Sequence, residues 1–180
     1  MGKRSDFERV ERDFYPTPKA AVVPLVPWLR DGLRYWEPCA GDGQLVRNIH
    51  ELSNAVCVAI SDIEPRGPDP RMQQCDALKV SPDAVDMADA DYIITNPPWD
   101  RKILHPMIEH FSSLRPTWLL FDADWCHTLQ SSHYMKYCHK IVSVGRVKWI
   151  PGSKMTGKDN TAWYLFDQNK ENDGTVFYGR

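Results

Sequence analysis

The chain has 180 residues, with 22 Lys+Arg against 24 Asp+Glu and a formal net charge of −2, a length that suits one domain. At 42% hydrophobic and 26% charged residues the composition is that of a folded globule, which sets aside collagen-like, disordered and coiled-coil chains. The longest mostly apolar stretch, Ala20 to Leu29, is interrupted by Pro24 and Pro27 and is about half of the roughly 20 residues that cross a bilayer. The charged N-terminus lacks the apolar core of a secretory signal, so a cytoplasmic protein with no membrane partner is expected.

Residues 1–12 read as a mobile charged arm. Phe14-Tyr15-Pro16-Thr17-Pro18 then opens a segment in which Thr17 is expected to cap a helix and Pro18 to fit its first turn, while Pro24 and Pro27 keep that helix short or kinked. Arg34 to Glu37 leads into Pro38-Cys39-Ala40-Gly41-Asp42-Gly43, after which Leu45, Val46, Ile49 and Leu52 recur at helical spacing; this is strand, glycine loop, helix. Ala55 to Ile60 reads as a strand buried on both faces that ends in Ser61-Asp62. Pro65 to Pro70 is a loop, and a further buried strand, Tyr92 to Thr95, runs into Asn96-Pro97-Pro98-Trp99.

Ile103, Leu104, Met107, Ile108 and Phe111 share one helical face, and Pro116 separates that helix from the apolar Thr117 to Phe121. Ile141 to Ile150 and Thr161 to Phe166 form a final pair of strands around a hairpin connection, Pro151 to Asn160. The alternation of strand and helix predicts a doubly wound α/β sheet with an antiparallel hairpin at its C-terminal edge.

Five cysteines, with no Cys-x-x-Cys pair, suggest free thiols rather than a disulfide framework. Cys126-His127 and Cys138-His139 match no common metal-ligand spacing, and no metal is expected. The charge is unevenly spread. From Glu37 to Asp91 there are eleven acids against four bases, whereas Cys126 to Lys158 holds six bases and no acid. The basic stretch suits phosphates if it gathers on one face, and otherwise forms an ordinary solvated surface.

In a doubly wound sheet, ligands bind at the carboxyl ends of the strands. Three polar loops should converge there: the glycine turn 37–43, Asp62, which is placed to accept ribose hydroxyls, and Asp76, which can accept from an adenine amine. Each acid reads equally as a helix cap or a surface group, and the glycine turn lacks the full Gly-x-Gly-x-x-Gly fingerprint. The fourth loop is the specific one. Two prolines withhold two backbone donors, so Asn-Pro-Pro is an acceptor site unless it is a plain turn. The Asn96 oxygen and the Pro97 carbonyl suit both hydrogens of a planar amine, and Trp99 offers a face on which a base can stack.

These motifs, in this order, resemble the S-adenosylmethionine-dependent DNA adenine N6-methyltransferases; the chain looks like a small, phage-type member, over about Asp13 to Asp167. The paired motifs are fairly specific, although Asn-Pro-Pro-aromatic also marks methyltransferases acting on protein glutamine amides and RNA amines. The resemblance implies a Rossmann-like class I methyltransferase fold with a mixed sheet of about seven strands, and residues 13–180 as one methyltransferase domain with no separate recognition domain. It implies that Tyr15, Thr17 and Pro18 border the methionine part of S-adenosylmethionine, that Glu37, Ala40, Gly41 and Gly43 form its pocket, and that Asp62 and Asp76 hold its ribose and adenine. Asn96, Pro97, Pro98 and Trp99 would hold the target amine. Arg101, Lys102, Lys148, Lys154 and Lys158, together with the His/Lys-rich stretch His127 to Lys140, are the bases expected to meet the nucleic acid. The partner expected is DNA, with RNA second, weak or short sequence preference, and an oligomer or a recognition partner as further options; the alternatives are methyl transfer to RNA or a protein amide, or an inactive methyltransferase-fold subunit that binds cofactor or nucleic acid. Asp122 and Asp124, two acids on the expected substrate side, have no role in this reading.

Overall fold

A computed structural model describes residues 14–150, 152 and 156–180; the arm 1–12, Asp13 and Lys154 lie outside the described residues. Five parallel strands form the first part of one sheet: β1 (Arg34–Glu37), β2 (Val56–Asp62), β3 (Gln73–Gln74), β4 (Tyr92–Thr95) and β5 (Thr117–Asp122). In the antiparallel part, β7 (Asn160–Phe166) lies between β5 and β6 (Cys138–Arg146), and β8 (Val176–Tyr178) runs parallel to β6 at the edge. The order β3-β2-β1-β4-β5-β7-β6-β8 gives the expected mixed sheet, with eight strands among the described residues. The expected hairpin therefore lies one strand in from the edge, and its first strand ends at Arg146 rather than Ile150.

Strand alternation sorts the core into two layers, because successive side chains leave opposite faces of a sheet. Tyr35, Ile94, Trp118, Leu120 and Trp163 face α1 (Lys19–Val22), the 3₁₀ turn Val23–Trp28 and α2 (Gln44–Leu52). Trp36, Ile93, Leu119, Phe121 and Tyr164 face the other layer, with α3 (Pro82–Met87) and α4 (Arg101–Leu114). In this second layer Phe121 stacks on Tyr164 at 4.2 Å and 11°. The short helix α5 (Ser132–Met135) lies on the connection between β5 and β6.

Several local expectations change. Thr17 does not cap α1: Pro18 is the N-cap residue, with no side-chain cap bond. The helix is short, and its 3₁₀ continuation holds Pro27, as the missing amide donors require. β2 is not buried on both faces; Val56 is 48% exposed, because only the two-residue β3 lies outside it. Ile103, unlike Leu104, Met107, Ile108 and Phe111, is not in the core and lines a cavity instead. Among the described residues no helix is long and apolar enough to cross a membrane.

The strand order places the site. The chain moves from β1 outward to β2 and β3, then returns to lay β4 on the other side of β1. The loops after β1 and β4 therefore leave in opposite directions from adjacent strands, opening a crevice at the switch point.

Candidate active site

A cavity of about 680 Å³ occupies that crevice, within the usual range for a small-molecule site. Of the residues predicted to form the site, Tyr15, Thr17, Glu37, Ala40, Gly41, Asp62, Asp76, Asn96 and Pro98 lie in its wall. Gly43, Pro18, Pro97 and Trp99 stand outside the wall.

The glycine turn is built around backbone constraints. Gly41 has φ +55°, and a Cβ there would meet the Phe14 ring at 2.6 Å, so a larger residue is excluded both by conformation and by space. Gly43, at φ +79°, is the N-cap of α2; its amide donates to Ala40 O at 2.7 Å and so closes the turn. Asp62 fastens the turn to β2: one oxygen accepts the Gly41 amide at 2.7 Å and the other the Glu64 amide at 2.7 Å. Asp76 accepts the Leu78 amide at 3.2 Å and pairs with Lys79 at 3.3 Å. Both carboxylates therefore cap local backbone and also face the cavity, so the two readings of these acids coexist.

Glu37 ends β1 with no exposure. Its Oε1 accepts the Cys39 amide at 3.1 Å, whereas Oε2 has no hydrogen-bond partner. Burial pushes its carboxyl up to about 8, and Asp62 adds to the rise; the nearby Thr95 hydroxyl and the Cys39 amide oppose it. The Thr95 hydroxyl itself makes no bond of acceptable geometry. A buried carboxyl without a partner at one oxygen is costly; raised to about 8 it is mostly protonated near neutral pH, and a ligand that hydrogen-bonds it, or a cation that favours its ionised form, would satisfy it. Together with the carboxylates of Asp62, Glu64 and Asp76 and the apolar Leu45, Ile103 and Met107, it fits a cationic nucleoside such as S-adenosylmethionine.

On the opposite side, Asn96 comes directly after β4. Its Nδ2 donates to Thr17 Oγ1 at 3.1 Å and, at 3.5 Å, to Tyr15 O. Its Oδ1, expected to be an open acceptor, already accepts from Trp99 Nε1 at 3.3 Å. The Trp99 ring is also not a bare platform, since Trp149 meets it edge-on at 5.7 Å and 88°, and Tyr15 lies 6.5 Å from Trp149. A donor-bearing indole beside an acceptor makes such a bond whenever nothing better is present. That bond uses one of the two lone pairs of Oδ1.

Sequence reasoning misses several participants. Arg66 lines the cavity, lies 4.4 Å above the Phe14 ring and donates its amide to Gly41 O at 2.9 Å. Gly67 passes so close to the Asp42 backbone that a Cβ would collide with it; this glycine within the Pro65–Pro70 loop is the available signal. Trp149 sits in a stretch that reads as strand, so nothing local marks it.

Arg101 and Lys102 are exposed at the start of α4, where Asp100 caps the helix; Arg101 also donates to Gln130 at 2.9 Å. Lys148 and Lys158 are exposed, and Lys148 directly precedes Trp149. Asp122 acquires a local account: it caps the 3₁₀ turn Ala123–His127 by accepting the Asp124 amide. Its carboxyl is raised chiefly by burial, with Asp124 and Asp159 adding to the rise. All five cysteines are free, and among the described residues no three His, Cys, Asp or Glu side chains gather as metal ligands.

No protein-family model matches the sequence, and no curated protein matches it. Solved structures do resemble it in shape. A type I restriction-modification methyltransferase subunit from Streptococcus thermophilus superposes with a TM-score of 0.61 at 10% identity, over 92% of this chain and 47% of that one. A DNMT2 mutant from Spodoptera frugiperda gives 0.56 at 13%, over 82% and 55%, so the chain spans about half the length of these two proteins. A Pyrococcus horikoshii protein assigned as an RNA methyltransferase gives 0.58 at 17%, over 92% of both chains. At these identities the likeness is one of architecture: the chain has the Rossmann-like fold of class I methyltransferases, with a mixed sheet and an antiparallel C-terminal part.

Proposed function

We propose that the protein is an S-adenosylmethionine-dependent methyltransferase acting on the exocyclic N6 amine of adenine in DNA, with weak or short sequence preference. One observation carries the reading: the acid-lined turn after β1 and the Asn96 loop after β4 open on the same cavity. A methyl donor and an amine acceptor need that adjacency, since holding two reactants in line accounts for a large part of such catalysis.

Glu37, with Ala40, Gly41, Asp62 and Asp76, would hold the cofactor, and Tyr15, Thr17 and Arg66 would border it. When bound, S-adenosylmethionine supplies a methyl group already activated on a sulfonium. Asn96 Oδ1 and the Pro97 carbonyl accept the two amine hydrogens and draw the nitrogen lone pair out of conjugation toward the cavity. These bonds strengthen as positive charge develops on the attacking nitrogen, which is where they lower the barrier. Pro97 and Pro98 keep that loop rigid. Trp99 offers its ring to the base. Arg101, Lys102, Lys148, Lys154 and Lys158 are proposed to meet phosphates, and a flipped base is required if the substrate is duplex.

A second reading keeps the chemistry and changes the polymer to RNA. The Pyrococcus protein, similar in shape over 92% of both chains, favours it. Labelled S-adenosylmethionine presented with unmodified DNA, RNA and protein in parallel separates the readings. Label on adenine N6 of DNA supports the first and label on RNA the second. Label on protein alone, or cofactor binding without transfer, rejects both.

A further inference from the structure

An asparagine can receive an amine only if its amide points the right way, because one end accepts and the other donates. Three contacts decide the orientation of Asn96. Trp99 Nε1 is a donor only and lies 3.3 Å from Oδ1. Tyr15 O is an acceptor only and lies 3.5 Å from Nδ2, and Thr17 Oγ1 lies 3.1 Å from Nδ2. A flipped amide would set donor against donor at Trp99 and acceptor against acceptor at Tyr15.

These contacts are unequal in use. The Trp99 bond uses one of the two lone pairs of the oxygen an amine needs and leaves the other open. The nitrogen end of the amide is held by the segment 14–18, through Thr17 above all. Thr17 is 4% exposed, and its carbonyl accepts from Asn48 Nδ2 at 2.8 Å; Asn48 in turn accepts from Gln44 at 3.0 Å, both on the helix after the glycine turn. Phe14 packs against Gly41 beneath Arg66. The segment is thus fastened on the side of the glycine turn and reaches across the cavity to the amide on the other.

The geometry points to Thr17 as a positioning residue: its hydroxyl fixes the Asn96 amide for amine capture and links the order of the glycine-turn side to that of the target loop. This rests on the reading given under Proposed function.

The test uses the full chain with Thr17→Val, which keeps the shape and removes the hydroxyl, and Thr17→Ser, which keeps it. Val is expected to lower kcat about tenfold, the usual scale for one lost hydrogen bond, with cofactor affinity within about threefold, and Ser to restore kcat. Independently of activity, the ¹⁵N side-chain amide signals of Asn96, identified by their loss in Asn96→Ala, should shift or broaden in Val and return in Ser. If Val does not fold, Thr17→Ala poses the same question. A Val variant with unchanged kcat and unmoved amide signals overturns the assignment, as does a loss of kcat matched by an equal loss of cofactor affinity. A wild-type chain that methylates nothing rejects both readings under Proposed function, while the amide signals still decide whether Thr17 holds the Asn96 amide.

Discussion

The two sides of the switch point are built to different rules. The side that ends β1 and β2 is a polar enclosure, in which Asp62 bonds two amides, Gly41 admits Phe14, and a buried Glu37 oxygen is left without a partner. The antiparallel side is a nearly dry aromatic stack, with Phe121 against Tyr164 and Trp125 edge-on to both. Among the described residues, three buried polar atoms lack a partner: Glu37 Oε2 and the neighbouring Thr95 Oγ1 lie where a ligand is expected, and His110 Nε2 lies on α4, outside the cavity wall. A fold can tolerate such unmet polarity because the well-packed aromatic side supplies its stability.

The largest expected effect lies at Glu37. Its folded-state value of about 8 lies above the ordinary 4.5, so its contribution to stability is complete below pH about 4.5 and is lost as the pH rises through about 8. The slope is about 1.4 kcal/mol per pH unit. Urea unfolding at a series of pH values should show that decline in the wild type relative to Glu37→Gln; parallel curves for the two would remove the polar strain from the enclosure. On the aromatic side, Phe121→Ala should cost about 3–5 kcal/mol at any pH, read from the same titrations. A loss below about 1 kcal/mol would mean that the stack is not the stabilising half.

Asn96→Ala should lower kcat by about 10²–10³ while cofactor affinity stays within a few-fold, since the missing bonds matter chiefly in the transition state. Single-turnover transfer together with calorimetric binding measures the split, and a near-normal rate would take Asn96 out of the reaction. Smallest is the surface effect. Lys148→Glu and Lys158→Glu should each reduce the slope of log affinity against log salt by about 1; an unchanged slope would put the polymer on another face.

Much of this is legible in the sequence because it is local. Apolar runs of strand length before Gly-x-Gly and before Asn-Pro-Pro announce two strand-to-loop transitions, and helical spacing in Leu45, Val46 and Ile49 marks the helix after the first. The illegible features depend on distant partners. Thr17 has the sequence mark of a helix cap, yet its hydroxyl bonds Asn96, 79 positions away. β8 has three residues, too few for a period, and exists because β6 offers a free edge. Trp149 comes beside the Asn96 loop through long-range packing on Trp99 and Tyr15, and the sheet order that adjoins β1 to β4 comes from crossover topology, which no single segment encodes.

The seven tryptophans have an optical consequence. Trp36, Trp118, Trp125 and Trp163 are at most 5% exposed and should emit alike whatever the solvent holds. Trp99 and Trp149 touch each other beside Asn96, half-buried, where a stacked base would quench them. Under the proposed function, unlabelled protein would carry its own fluorescent gauge of whether a base has entered, readable without turnover.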